Sequence, residues 1–220
     1  ATLTWEEKAP VSVARYAFDG VESLDGKIYF AGGSSAQKLA ERYDPDTNQW
    51  ETLNAMSASR RAMAATVLNG KFYAIGGENL SSVEIFDPQT GQWSMGPALP
   101  SVVHHGNAIT VGGRVFLIGG TNASGQSIDQ VLTFDSVTNQ WSQKTPMPTA
   151  RSGHKLVVLE SEIWAIGGSA GTKVEIYNVE TDSWVVGPSL STSRNWACAW
   201  VANGRIYVAG GNYLSSIEVY

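Results

Sequence analysis

Short apolar runs, each closed by a pair of glycines, recur along the chain as KIYFAGG (27–33), KFYAIGG (71–77), RVFLIGG (114–120), EIWAIGG (162–168) and RIYVAGG (205–211). Unbroken apolar character rich in β-branched and aromatic residues predicts a strand covered on both faces. A second run precedes most of these (AATVL, AITV, KLVVL, ACAWV), joined through Asp25-Gly26, Asn69-Gly70, Gly112-Gly113, Glu160-Ser161 and Asn203-Gly204. Asn-Gly, Asp-Gly and Gly-Gly tolerate positive φ at both centres of a two-residue hairpin. Glu160-Ser161 breaks that pattern and is expected to need a different turn. After the glycines come SVEIFD, QVLTFD, KVEIYN and SIEVY, which predict a third strand. Its closing aromatic opens an octapeptide written four times, YDPDTNQW (43–50), FDPQTGQW (86–93), FDSVTNQW (134–141) and YNVETDSW (177–184). An aromatic, an Asp- or Asn-initiated turn and a tryptophan predict a third strand turning into a fourth.

The period is regular. From Gly32 to Gly76, Gly119, Gly167 and Gly210 the steps are 44, 43, 48 and 43 residues, and Trp5, Trp50, Trp93, Trp141 and Trp184 keep nearly the same steps. Four strands in about 43 residues fit a propeller blade. Glycine pair, aromatic and tryptophan at these spacings resemble the kelch repeat, and the resemblance runs from Trp5 to Tyr220. The fold expected is all-β, a five-bladed propeller of four-stranded antiparallel blades. It forms one domain over 1–220, with repeats near 12–55, 56–98, 99–146, 147–189 and 190–220 plus 1–11. Leu3, Thr4 and Trp5 are expected to supply the missing fourth strand of the last blade and so close the ring. The alternative is a piece of a larger ring.

Composition narrows the partners. The 220 residues carry Lys and Arg 15 against Asp and Glu 20, a net charge of −5, which argues against nucleic acid as ligand. No apolar run approaches the roughly 18 residues a membrane helix needs. The single Cys198 cannot form an intramolecular disulfide, which favours a cytoplasmic location without specifying one. A monomer is expected.

Counting back sixteen residues from each glycine pair gives Tyr16, Arg60, Val103, Arg151 and Arg194, with Arg15 just before Tyr16. This phase aims an arginine at one rim of the channel in four of five blades. Beside them fall Arg61, His104, Ser152 and Asn195, then His105 and Trp196, while the loops after the glycines add Glu78, Asn79 and Tyr213. Arginine forks among aromatic and hydroxyl groups suit carboxylates. Some kelch domains bind acidic peptides with this rim, so the resemblance implies a protein or acidic peptide as partner, held by Arg15, Arg60, Arg61, Arg151, Arg194, Asn195, Trp196, Ser152, Glu78, Asn79 and Tyr213. The competing reading makes each arginine a structural tie between blades, bonded to backbone carbonyls.

Catalysis is the weaker expectation. No catalytic residue, metal ligand or cofactor is assigned. His104 and His105 are adjacent, where strand alternation sends side chains to opposite faces. The alternative function is a sugar-active propeller resembling sialic-acid mutarotases, with Glu78, Asp19 or Glu22 as acid/base group.

Overall fold

The computed structural model describes residues 6–16, 19–22, 25–35 and 37–220, with 19–22 given as backbone alone. The strand expected at Leu3–Trp5 and the side chains of Asp19 and Glu22 fall outside that set. Blade 1 is β1 (Asp19–Glu22), β2 (Ile28–Ala31), β3 (Ala40–Asp44) and β4 (Gln49–Thr52). Blade 2 is β5 (Ala64–Leu68), β6 (Lys71–Ile75), β7 (Val83–Asp87) and β8 (Gln92–Gly96), and blade 3 is β9 (Asn107–Val111), β10 (Arg114–Ile118), β11 (Val131–Asp135) and β12 (Gln140–Gln143). Blade 4 is β13 (Lys155–Leu159), β14 (Glu162–Ile166), β15 (Val174–Asn178) and β16 (Ser183–Val186). Blade 5 has three strands among the described residues, β17 (Cys198–Ala202), β18 (Arg205–Ala209) and β19 (Ile217–Val219). Every neighbouring pair is antiparallel, and the innermost strands of successive blades lie side by side from β1 through β17. The chain is an all-β, five-bladed propeller.

Each part of the octapeptide has a job in this architecture. The Asp44 carboxylate accepts the N–H groups of Asp46 and Thr47, and Asp135 does the same for Val137 and Thr138, which fixes the turn. The aromatic and the tryptophan then meet across β3/β4 and its counterparts, with ring centroids 5.0 Å apart for Tyr43 and Trp50 and 5.2 Å for Phe86 and Trp93. Each indole N–H reaches back to the connection entering its own blade: Trp50 to the carbonyl of Ala9 (2.7 Å), Trp93 to Asn54 (2.7 Å), Trp141 to Pro97 (3.0 Å) and Trp184 to Thr145 (3.0 Å).

The glycine pairs join blade to blade. The N–H of Gly33 donates to the Arg60 carbonyl (2.9 Å), Gly77 to Val103 (3.0 Å), Gly120 to Arg151 (2.8 Å) and Gly168 to Arg194 (2.8 Å). At Gly76, with φ +63°, a Cβ would stand 2.4 Å from the Val103 carbonyl oxygen, so no other residue fits that approach.

The Glu160-Ser161 hairpin departs from expectation. Its residues have φ of 52° and 67°, the same left-handed pair as Asn69-Gly70 (50° and 70°) and Asn203-Gly204 (51° and 69°). Five-residue strands on both sides impose the turn, and the sequence bears the strain. Replacing Glu160-Ser161 by Asn-Gly is expected to stabilise the protein by about 1–2 kcal/mol. A urea midpoint that stays put or falls would show that the turn carries no strain.

Apolar clusters fill the spaces between blades, each combining residues of two neighbours. Blade 5 differs on its far side. Val157, Val174 and Ile176 of blade 4 are 4%, 4% and 8% exposed beneath blade 5, whereas Trp200, Ile217 and Val219 at the same positions one repeat later are 42%, 53% and 50% exposed.

Candidate functional site

Where strand order brings the inner connections together, the backbone builds a collar. Ala62, His105, Gly153 and Trp196 occupy equivalent positions and share left-handed φ values of 54°, 55°, 64° and 61°. The last three each pass a hydrogen bond to the preceding blade: His105 N–H to the Ala62 carbonyl (2.8 Å), Gly153 to His105 (3.2 Å) and Trp196 to Gly153 (2.9 Å). This chain of bonds fixes the rim of the channel and decides which side chains reach it.

The arginines expected there turn inward. Arg60, Arg151 and Arg194 are at most 1% exposed, and the side chain of Arg15 is equally buried. Arg60 donates to Glu84 (3.1 Å), to the carbonyls of Gly76 (2.7 Å) and Ser82 (2.8 Å), and to the Ser82 hydroxyl (2.8 Å). Arg194 repeats this with Glu218, Gly210 and Ser216, Arg151 bonds Glu175, Gly167 and Lys173, and Arg15 pairs with Glu41. The guanidiniums are engaged inside their own blades, so the expected lining by Arg15, Arg60, Arg151 and Arg194 is corrected to a set of internal clasps. Burial alone would raise the Glu84 carboxyl. The N–H groups of Ser57 and Ala58, the Ser57 hydroxyl and the Arg60 charge outweigh it and hold the group below the usual carboxylate range.

Other expected residues do reach the surface. Arg61 is half-buried at the rim and ion-paired with Glu78. Trp196 is 57% exposed, and Asn79 and Tyr213 stand free in solvent, both in left-handed backbone. Ser152 is tied to Ser169 and Ser127 (3.1 and 3.2 Å), and Asn195 lies against Gly153. Tyr16, Arg61, His105 and Trp196 enclose a cavity of about 400 Å³ at the mouth. His105 and Trp196 also line a second cavity of about 260 Å³ together with inner-strand residues Asn107, Lys155 and Cys198, so the two cavities share that pair of side chains.

The two histidines are brought together, against the alternation argument. Left-handed φ at His105 cancels the strand's alternation, and the Nδ1 atoms stand 3.2 Å apart while the His105 ring meets Trp196 edge-on at 4.9 Å. Burial, then the charges of His104 and Arg61, push His105 below the ordinary histidine value, with Glu78 opposing them. Sequence reasoning placed Tyr16 and His105 at the rim by phase alone and gave neither a role. The collar geometry that promotes them has no signature beyond Gly153.

Fold and mouth together define a propeller with a small aromatic, charged opening. The chain belongs to the kelch-repeat family: the family described as the KLHDC2/KLHL20/DRC7 Kelch-repeats domain matches residues 21–211. It is 35% identical over 85 residues to Kelch-like protein 28 of Homo sapiens, a stretch covering 34% of this chain and 15% of that protein. To Kelch-like protein 33 of Homo sapiens it is 43% identical over 76 residues, 33% of this chain and 14% of the relative. These matches span about a seventh of the relatives' length. Among solved structures, "Structure of YjhT" superposes with a TM-score of 0.82 at 19% identity, covering 93% of this chain and 75% of the other, a likeness of fold.

Proposed function

We propose that this kelch propeller is a non-catalytic protein-binding module that takes a partner's peptide at the channel mouth. The observation that carries the reading is the 400 Å³ cavity walled by Tyr16, Arg61, His105 and Trp196, two of whose aromatics are more than half exposed. Large amphipathic rings on a rigid frame supply contact area at low entropic cost, and such anchors dominate peptide interfaces. Preference for an acidic side chain rests on Arg61, whose bond to Glu78 a ligand carboxylate can replace. Asn79 and Tyr213, on the loops above, extend the contact outward. Membership of a family whose relatives are kelch-like proteins is consistent with a protein partner.

Selecting a displayed random-peptide library on the immobilised protein tests this. Enriched peptides are expected to be acidic and to bind Trp196→Ala and Arg61→Ala at least tenfold more weakly, with thermal midpoints unchanged because neither side chain is part of a core cluster. Peptides bound equally by both variants would move the interaction away from the mouth. A sugar-active reading draws on the Glu78 carboxylate standing beside Arg61 in the same opening. Accelerated mutarotation of sialic acid, followed by proton NMR and abolished by Glu78→Gln, would displace the peptide reading.

A further inference from the structure

His104 and His105 meet at the edge of the mouth, and their surroundings dictate which nitrogens carry hydrogen. Nε2 of His104 lies 3.2 Å from the Asn122 carbonyl oxygen. A carbonyl only accepts, so that nitrogen is the donor. Neutral His104 then presents a lone pair at Nδ1, and the 3.2 Å contact between the two Nδ1 atoms is a hydrogen bond only if His105 donates it. Nε2 of His105 is left as a bare acceptor. Among the described residues it has no hydrogen-bond partner, and the ring that carries it walls the mouth cavity. A second observation marks the opening as short of acceptors. Arg61 pairs with Glu78 through one terminal nitrogen, while among the described residues its buried Nε–H has no partner, although buried donors are normally paired.

Resting on the reading of the mouth as an acidic-peptide site, we propose that the peptide's carboxylate is held between Arg61 and His105, and that docking takes up one proton at His105 Nε2, with His104 positioning the ring. The proton comes from solvent and adds to the Nε2 lone pair. The imidazolium keeps its Nδ1–H bonded to His104 and turns Nε2 from acceptor into donor toward the carboxylate. The titratable and charged groups around His105 are His104 beside it, Arg61 on the neighbouring collar, Glu78 on the loop after β6 and Tyr16 across the mouth, with His154, Lys155 and Cys198 around the second cavity. His104 and Arg61 oppose a proton on His105 and Glu78 favours one, so in the free protein burial and the two cations win. A ligand carboxylate in contact reverses that balance, because an adjacent opposite charge raises the pKa of an imidazole. Affinity therefore rises as the pH falls through the bound-state value and levels off below the free-state one.

Two measurements on the full chain decide it. Calorimetric titration with the capped peptide acetyl-Gly-Glu-Gly-Glu-Gly-amide is expected to give a Kd about tenfold lower at pH 5.5 than at pH 7.5, the effect of about one unit of pKa change on binding. The same peptide with Gln for Glu is expected to show no such change. His105→Asn, whose side chain suits left-handed backbone and does not titrate, is expected to bind with the same Kd at both pH values. Separately, long-range proton–nitrogen NMR spectra of the free protein at pH 7.5 are expected to show the hydrogen on Nδ1 of His105 and on Nε2 of His104, and His104→Phe to release His105 from that form. A wild-type Kd that is equal at both pH values but raised by Arg61→Ala would overturn the proton-coupled site and leave the acidic-peptide reading standing. No binding at either pH would overturn both. Finding the hydrogen on Nε2 of His105 would overturn the proposal whatever the titrations gave.

Discussion

Replacing Arg151 by valine alone is expected to cost about 3–5 kcal/mol, and adding Glu175→Leu to the same protein to recover at least half of it. The propeller contains the experiment already. In blade 3 the positions of Arg151 and Glu175 are held by Val103 and Leu132, both buried in one apolar cluster, while the strands on either side keep the same register. Removing the guanidinium alone leaves the Glu175 carboxylate buried with the Thr149 hydroxyl (2.7 Å) and without its counter-charge. An uncompensated buried charge is what makes such single changes severe. Removing both charges leaves the carbonyls of Gly167 and Lys173 with one donor fewer, so recovery is incomplete. Urea unfolding of the two variants and of Glu175→Leu closes the cycle. A double variant as unstable as the worse single one would mean that the clasp's value lies in its bonds to backbone, not in its charge pair.

The same comparison shows how far the sequence could be read. Strands, hairpins and period were legible because local chemistry decides them: glycine pairs and unbroken apolar runs recur five times, Asx turns four times, and each agrees with the fold. The direction taken by an arginine is not local. Arg60 and Arg61 are neighbours, yet one is sealed against Glu84 and the other faces solvent beside Glu78. Which one turns in depends on a glutamate 24 residues on, in the third strand of the same blade. Glu84, Glu175 and Glu218 do stand 24 residues after Arg60, Arg151 and Arg194, an acid in an otherwise apolar run, and that spacing was the available signal. His105 was misjudged for a different reason. Alternation holds only while φ stays extended, and the collar imposes left-handed backbone at that residue.

Acid sensitivity follows from one further buried group beside the clasp. His154 is 2% exposed, and burial first, then the charges of Arg151 and Lys155, push its pKa down to about 3, with the Ile118 carbonyl opposing them. In the unfolded chain the same imidazole takes a proton near its ordinary value of 6.5. Between those values the unfolded state binds more protons, so stability must fall as the pH falls, by about 1.4 kcal/mol per unit once well below 6.5. Between pH 7 and pH 5 the expected loss is about 2 kcal/mol, before the depressed carboxyls of Glu84 and Glu218 begin to be protonated at lower pH. His154→Phe keeps a ring of similar size and removes the titration, so its urea midpoint is expected to be nearly flat over that interval, apart from the smaller part owed to His105, which shifts in the same direction. Arg151→Val provides the cross-check, because deleting the nearest like charge relaxes the depression and should make the wild-type slope shallower at its acid end. A wild-type midpoint that does not move between pH 7 and pH 5 would mean that His154 takes up its proton in the folded state, and that the clasp next to it is more open to water than its burial implies.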